Sequence, residues 1–457
     1  MNLLSIVSPL FWGLVVLSLL VFVHEGGHYA MARICGVRVT EFFLGMPFKN
    51  KLSHKSKKYG TEIGVTPLLL GGYTRICGME GELDDLLPKA LMCVQKAGKL
   101  SVCDLSSRLS CDENRAYSLL YTLSDWGSIE LVSDSDDASD MSSVMFQTLT
   151  RDAKLRCEYD RGHSFEQEGT TKAGEPRVPE MTADEFFNFE KSHTYVGASV
   201  LKRILMILGG PLVNIALAFA LVVGSLMIVG VPAAQNTSQI GQVQSNSLAA
   251  ISGLVPGDTI RTINGSEVHT WKELAAALKE ALSSGGENIA VTYERNGIQL
   301  ETTIKPVLRP DDKIIGVSPV MSMYHFSFIE ASSSAVSYAK QVGAFALRLL
   351  IPTQTMEVLN QSSSVVGISV MASEAASAGI SSLIMLVAAI SMSLGFMNLL
   401  PIPPLDGGKI LIEVIQIIIR KPLSIKVQNI LSYIGIAFFL FVFVVVLRND
   451  IIHLIFK

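Results

Sequence analysis

Two histidines and a glutamate stand within five residues of each other, in the segment His24-Glu25-Gly26-Gly27-His28. Residues i and i+4 share one face of a helix, so His24 and His28 can point imidazole nitrogens at one metal ion. Glu25 is then placed to act as a general base toward a water in that site. The spacing is typical of a Zn²⁺ site with an open coordination position, although it also arises by chance in soluble proteins.

The run that precedes this segment makes a chance match the weaker explanation. Residues 10–23 read LFWGLVVLSLLVFV and carry no charge. As a helix they rise about 21 Å, which leaves His24 inside a hydrocarbon core about 30 Å thick. Ionisable residues at that depth are costly and usually functional. The placement therefore favours a metal site.

A third ligand is expected from the segment 398–408, which reads NLLPIPPLDGG. Asp406 is an acid just after another apolar run. Three prolines interrupt the helix before it, and irregular backbone at membrane depth is tolerated where it is buried in protein or lines a cavity. Taken alone, the segment fits an ordinary turn at a membrane exit equally well.

The composition is that of a membrane protein, because hydrophobic residues make up 49% of the chain and the mean hydropathy is +0.40. The net charge of −4 gives no support to nucleic-acid binding. Four spans are predicted, at about 9–35, 204–231, 382–400 and 430–447. No basic residue precedes Arg33, so we expect the first span to be retained rather than removed as a leader.

Basic residues follow the first span, precede the second and separate the third from the fourth. Such flanks lie in the cytosol by the positive-inside rule, which places the active site toward the cytosolic side. The region 232–380 then lies on the outer face. We expect a multi-pass membrane protein with this orientation.

The chain resembles the site-2 protease family of intramembrane zinc metalloproteases, in its bacterial RseP-type branch. The resemblance covers about 1–80 and 190–457, and three motifs carry it: HEGGH, Gly210-Pro211-Leu212-Val213-Asn214 and NLLPIPPLDGG. It implies an endopeptidase that cleaves single-pass membrane proteins within or near their transmembrane segment. Such cleavage often releases a transcription regulator, for example one held by an anti-sigma factor.

The resemblance also implies roles for individual residues. His24, His28 and Asp406 would bind one Zn²⁺ per chain, with Glu25 as the base. Asn398 and Asn214 would hold the substrate backbone or the developing oxyanion. Without the resemblance, each amide would be taken for an interhelical hydrogen bond worth about 0.6 kcal/mol.

We therefore expect a polytopic α-helical membrane protein with four transmembrane helices, a membrane-associated β-hairpin, one α+β PDZ domain and a small cytosolic winged-helix-like insert. The predicted regions are 1–37 (first transmembrane helix), 38–80 (β-hairpin region), 81–132 (insert), 133–200 (linker and membrane-proximal segment), 201–231 (second transmembrane helix), 232–310 (PDZ domain), 325–379 (interfacial amphipathic helices), 380–410 (third transmembrane helix) and 411–457 (fourth transmembrane helix and C-terminus).

The hairpin would offer an edge to an extended substrate, although it could equally be a surface feature with no role. Region 81–132 shows three short helical patterns and a strand, which together resemble a winged helix. Residues 81–160 contain 15 acidic and 8 basic side chains, so a cytosolic protein partner is favoured over DNA. Residues 133–182 are acidic and weakly periodic, which predicts a flexible linker.

The PDZ-like region includes Ile240, Gly241 and Val243, which are predicted to bind a peptide by strand addition. On the outer face it would admit substrates already trimmed by another protease, or serve only as a spacer. The main alternative for the whole chain is a non-catalytic membrane-anchored PDZ adaptor with a structural metal site. A metal transporter is disfavoured because the histidines and acids are concentrated at one point.

Overall fold

The computed structural model describes residues 4–69, 71–79, 83–132, 144–283, 288–305, 315–421, 423 and 425–455. The α-helices are α1 (Leu4–Cys35), α2 (Leu87–Ala97), α3 (Val102–Leu109), α4 (Glu113–Asp125), α5 (Ala183–Ser192), α6 (Val200–Ile228), α7 (Leu248–Ile251), α8 (Trp271–Ser283), α9 (Phe328–Arg348), α10 (Pro352–Gln361), α11 (Val365–Ala378), α12 (Ile380–Asn398), α13 (Asp406–Ile419) and α14 (Ile425–Ile455).

The strands are β1 (Val39–Leu44), β2 (Leu52–Lys55), β3 (Glu62–Val65), β4 (Gly72–Ile76), β5 (Lys99–Ser101), β6 (Ile129–Leu131), β7 (Met145–Thr148), β8 (Val231–Ala234), β9 (Ile240–Val243), β10 (Thr259–Ile263), β11 (Ser266–Glu267), β12 (Ile289–Arg295), β13 (Ile298–Ile304), β14 (Val317–Pro319) and β15 (Met321–Tyr324). The chain divides into two compact units, one of Met1–Val222 with Ala335–Lys457 and one of Val223–Ser334.

Among the described residues, four helices are long and apolar enough to cross a membrane. They are Val7–Cys35, Val200–Ile228, Ile380–Asn398 and Lys426–Ile452, with mean hydropathies of 2.1, 2.3, 2.1 and 2.9. They contain 29, 29, 19 and 27 residues, and a membrane span requires about 20. The prediction of four membrane-crossing helices is therefore confirmed.

The third of these helices is shorter at its C-terminal end than the predicted region 380–410. It stops at Asn398, and Asp406 is the first residue of a separate helix, α13. A Cβ atom on Gly407 or Gly408 would collide with the backbone of the intervening turn. The glycines therefore allow α13 to begin directly against that turn, which sets the position of Asp406.

The region 38–80 forms a four-stranded sheet, within which β2 and β3 are an antiparallel hairpin. Its strand order is β2-β3-β1-β4, with β1 parallel to β3 and antiparallel to β4. Strand β1 lies in the centre because it buries Val39 and Phe43 completely. The strands β3 and β4 were recognised from the sequence, but β1 separates them, so they do not pair.

The insert after this sheet contains α2, α3 and α4 and a small antiparallel sheet of order β5-β7-β6. Its core is formed by fully or almost fully buried apolar side chains that include Leu91, Leu105, Leu119 and Phe146. Phe186 of α5 joins the same core. Helix α5 is therefore part of this unit, although it lies far along the chain from α4.

Residues 144–182 differ from the predicted flexible linker. Arg151, Cys157 and Asp160 are buried there, with exposed fractions of 0%, 0% and 4%. Arg151 donates hydrogen bonds from Nη1 and Nη2 to the Glu190 carboxylate, at 2.8 and 3.0 Å. The segment is fixed by buried charge pairs, which a search for apolar periodicity does not detect.

The same charge cluster ties the insert to the membrane-proximal sheet. Arg38, which is 1% exposed, donates to Asp160 at 2.6 and 2.7 Å and to Glu190 at 2.7 Å. The two ends of the insertion also meet, because the Tyr195 amide donates to the Cys77 carbonyl at 2.8 Å. The insert is thus anchored both by side chains and by the backbone at its point of entry.

The short apolar helix α11 was predicted to lie at the membrane interface, but it packs along α1. Ser8 and Ser373 are hydrogen-bonded through their hydroxyl groups at 2.7 Å, and Gly13 lies against Ser369. Ala372 is fully buried with residues of α1. Small side chains on both helices permit this close approach, which is a common basis of helix association in membranes.

The unit Val223–Ser334 has a four-stranded sheet of order β11-β10-β12-β13 and two further strand pairs, β9 with β14 and β8 with β15. Ile240 is 1% exposed and belongs to the apolar core, so its side chain is not available to a peptide. Val243 pairs with Val317, and Gly241 lies directly against the backbone of Pro319. Strand β14 therefore occupies one edge of β9, and the peptide-binding role of these three residues stays a prediction.

Candidate active site

Side chains from α1 and α13 meet at one buried point. His24 and His28 lie one turn apart on α1, and Asp406 begins α13. The His24 Nε2 atom is 3.0 Å from Asp406 Oδ2, His28 Nε2 is 3.2 Å from the same oxygen, and the two Nε2 atoms are 3.2 Å apart. The three predicted ligands are thus brought together, although Asp406 is far away in the sequence.

This triangle fits a single zinc ion. Zinc bonds nitrogen and oxygen ligands at about 2.0 to 2.2 Å, and tetrahedral ligands then lie about 3.3 Å apart. The His28 Nδ1–H donates to the Met206 carbonyl at 2.9 Å, so the Nε2 of the neutral ring carries a lone pair. A lone pair and a carboxylate oxygen at 3.2 Å repel each other unless a cation lies between them.

Gly210 of α6 forms the wall against which the two imidazoles lie. A Cβ atom at this position would be 2.7 Å from both Cε1 and Nε2 of His24 and would also collide with Nε2 of His28. Any larger residue would therefore enter the space that the ligand nitrogens face. The sequence motif contained this glycine, but its role becomes clear only from the helix crossing.

Glu25 lies beside the ligands and does not belong to the triangle. One ligand atom from each of His24, Glu25 and His28 falls within 4.8 Å of the others. The Thr74 hydroxyl of β4 donates to the Glu25 backbone carbonyl at 3.0 Å, which connects the sheet to this turn of α1. The carboxylate is thus close enough to exchange a proton with a water at the ligands.

A cavity of about 410 Å³ opens onto these residues. Its walls include Glu25, Tyr73 and Thr74 of β4, Asn398 and Lys409. Lys409 places its Nζ 3.5 Å from Asp406 Oδ1. The predicted residue Asn398 therefore lies on the wall of this cavity.

Asn214, the other predicted substrate-binding amide, occupies a different position. It is fully buried on α6 and lies 3.3 Å from His24 Nδ1, measured from its Nδ2 atom. The cavity walls among the described residues include Asn398 but do not include Asn214. Its side chain contacts the Nδ1 side of the His24 ring, whereas the Nε2 atom of that ring faces Asp406.

The model of peptidase family M50 matches residues 12–442 of this chain. The chain belongs to peptidase family M50. This M50 peptidase is 28% identical to a putative zinc metalloprotease of Lactococcus lactis, over 96% of this chain and 97% of that protein. It is 27% identical to the regulator of sigma-W protease RasP of Bacillus subtilis and 27% identical to the probable protease eep of Enterococcus faecalis, each over 96% of this chain and 97% of the relative.

The M50 peptidase also has residues at its site that motif reading did not find. Tyr195 lines the cavity, and its hydroxyl donates to Glu413 of α13 at 3.0 Å. Arg203 of α6 donates to the same carboxylate at 3.1 Å. These contacts hold α13, and with it Asp406, against α6. A charged Glu413 within the apolar pattern of α13 was the available signal.

Proposed function

We propose that this M50 peptidase is an intramembrane zinc endopeptidase that cleaves single-pass membrane proteins within or near their transmembrane segment, in regulated intramembrane proteolysis. The observation that most directly supports this proposal is that the Nε2 atoms of His24 and His28 and the Oδ2 atom of Asp406 lie within 3.2 Å of one another. Glu25 lies beside them. The names of the relatives, which include a putative zinc metalloprotease and a regulator of sigma-W protease, agree with this assignment.

His24, His28 and Asp406 would hold one Zn²⁺ through Nε2, Nε2 and Oδ2. Bound there, the ion supplies Lewis acidity that polarises the scissile carbonyl and lowers the pKa of water. Glu25 accepts the proton of the attacking water and returns it to the leaving amine. Asn398, on the cavity wall, donates its amide to the oxygen on which negative charge develops.

Strand β4 is positioned to hold the substrate in an extended conformation. It is the outer strand of the sheet of order β2-β3-β1-β4, and its Tyr73 and Thr74 line the cavity. A peptide bond inside a helix must lose its helical hydrogen bonds before it can be attacked, and addition to a strand edge replaces them. The edge of β4 therefore offers the backbone contacts that an unwound substrate segment needs.

The protein is placed in the bacterial inner membrane with its active site toward the cytosol, on the distribution of Lys and Arg around the spans. On this topology the unit Val223–Ser334 lies on the outer face as a PDZ-like domain. It would select substrates whose outer portion another protease has trimmed.

The insert is proposed to be a winged-helix-like module for a cytosolic protein partner. Its element order of α2, β5, α3, α4, β6 and β7 supports this interpretation. Arg115, near the start of α4, is paired with Asp84 at 2.8 Å and Asp85 at 2.6 Å. The hydrogen bond from Arg115 lowers the pKa of Asp84 to about 2, so this carboxylate stays negative and disfavours a phosphate backbone.

The test is the zinc content of the full-length protein purified in detergent, compared with Asp406→Ala, together with cleavage of a single-pass membrane protein in liposomes. One zinc per wild-type chain, little in the variant, and cleavage by wild type alone are expected. Zinc unaffected by the substitution would contradict the ligand set. Bound zinc with no cleavage of any trimmed substrate would instead favour the non-catalytic adaptor with a structural metal.

A further inference from the structure

Asn214 carries an unexplained polar atom beside the ligand set. The residue is 0% exposed, and its Oδ1 is buried without a hydrogen-bond partner among the described residues. Its Nδ2 lies 3.3 Å from Nδ1 of His24. A buried acceptor left without a donor costs about 1 to 3 kcal/mol, so this arrangement calls for a physical reason.

The protonation of His24 as a metal ligand decides which atom of the amide should face it. A neutral imidazole that offers its Nε2 lone pair to a metal carries its proton on Nδ1, and Nδ1 is then a donor. An amide NH₂ group facing that N–H would place two donors together. The oxygen and nitrogen of an amide have nearly the same shape, so a half-turn of the Asn214 amide exchanges them without moving the backbone.

We infer that Asn214 is a positioning residue for the metal ligand His24, and that its Oδ1 accepts the Nδ1–H of that ring. This arrangement removes the donor conflict and satisfies the unpartnered oxygen at once. It replaces the substrate-binding role predicted for Asn214, because the residue lies outside the cavity wall. The inference rests on the proposed function and deepens it.

The second ligand histidine shows the same arrangement. His28 donates its Nδ1–H to the Met206 carbonyl at 2.9 Å, and Met206 also lies on α6. Helix α6 therefore orients both imidazoles, one through its backbone and the other through a side chain. The Ser391 hydroxyl of α12 donates to the backbone carbonyl of Asn214 at 2.8 Å, a contact that does not involve the Asn214 amide group.

The experiment measures the zinc dissociation constant of the full-length protein in detergent by competition with a chelator of known affinity. The variants are Asn214→Leu, which keeps the volume but removes the acceptor, and Asn214→Asp, which keeps an acceptor. We expect Asn214→Leu to weaken zinc binding by about 10- to 100-fold, as for other residues that orient metal ligands. Asn214→Asp should stay within a few-fold of wild type. Ser391→Ala serves as a packing control and should change the constant little.

The possible outcomes distinguish a failure of the proposed function from a failure of the positioning role of Asn214. A wild-type protein that binds no zinc would refute the proposed function itself. Wild-type zinc affinity in Asn214→Leu, with slower cleavage at saturating zinc, would overturn the positioning role and restore the substrate-binding one. Equal weakening in Leu and Asp variants would show a packing role only. If Asn214→Leu does not fold, as judged by its thermal midpoint, Asn214→Ala takes its place in the comparison.

Discussion

Gly27 of the first span and Gly209 of the second lie with their backbones in direct contact. A Cβ atom on Gly27 would be 2.6 Å from the carbonyl carbon of Gly209, and one on Gly209 would be 2.8 Å from that of Gly27. Neither helix can carry a side chain at this crossing. The contact lies between His24 and His28 along α1, so it sets the distance from the ligands to α6.

The first prediction concerns this crossing. Gly27→Ala should force α1 and α6 apart, lower the thermal midpoint and reduce zinc content, at a cost of about 1 to 3 kcal/mol for overpacking. Thermal unfolding and metal analysis in detergent measure both effects. Gly26→Ala is the matched control, because a Cβ there lies 3.6 Å from Phe42, an ordinary contact. Equal behaviour of the two variants would refute the close crossing.

The second prediction concerns the wall of the metal site. Gly210→Ala would put a methyl group 2.7 Å from His24 Nε2, so zinc should be lost from most chains. Gly224→Ala, on the same helix, is the control because no described atom lies within 4 Å of its Cβ position. Full zinc occupancy in Gly210→Ala, measured as metal per chain, would contradict the placement of α6 against the imidazoles.

The third prediction separates metal binding from catalysis. Glu25→Gln should keep about one zinc per chain and lose cleavage by at least about 100-fold, because general acid–base groups contribute factors of that order. The measurement combines metal analysis with cleavage of a membrane substrate in liposomes. Loss of zinc in this variant would make Glu25 a ligand, and an active variant would remove it from the mechanism.

The fourth prediction concerns the buried charges that hold the insert. Burial alone disfavours a charged carboxylate, but Arg151 and Arg38 hold the pKa of Glu190 well below its ordinary value of 4.5. A carboxylate whose pKa is lowered by folding stabilises the folded state at pH values above its ordinary pKa. This stabilisation is lost as the pH falls below the ordinary pKa and toward the lowered one. The thermal midpoint of the full-length protein should therefore fall as the pH is lowered from about 4.5.

Glu190→Gln tests the same cluster at neutral pH. Removing one partner of a buried ion pair costs about 3 to 5 kcal/mol, so the variant should unfold earlier and lose part of the acid dependence. Glu168→Gln, at an exposed position, is the control and should leave the midpoint within error. A similar effect from both substitutions would show that the cluster is not what stabilises the insert.

The sequence predicted the parts of the fold that depend on local pattern. Apolar length predicted the four spans, and the spacing of His24 and His28 predicted their shared face. The sequence did not predict features that depend on pairing between distant segments, such as the position of β1 between β3 and β4. The buried charges of 144–182 look solvent-exposed in a sequence, since Arg151 and Glu190 become a core element only when they meet. Asn214 belongs to a motif that the sequence analysis singled out, but its contact with His24 becomes visible only when α1 and α6 are packed together.

The hydrogen bond between the Tyr195 amide and the Cys77 carbonyl has a consequence for how the insert is joined to the rest of the chain. The insertion leaves the sheet after Cys77 and returns at Tyr195, so its two ends are backbone neighbours. A turn of a few residues would join Cys77 directly to Tyr195. Arg38 would then need to be replaced by a neutral residue, because its charge would otherwise be buried without Asp160 and Glu190. The membrane region can therefore be closed by a short turn at this one point, which makes the insert a separable unit of the chain.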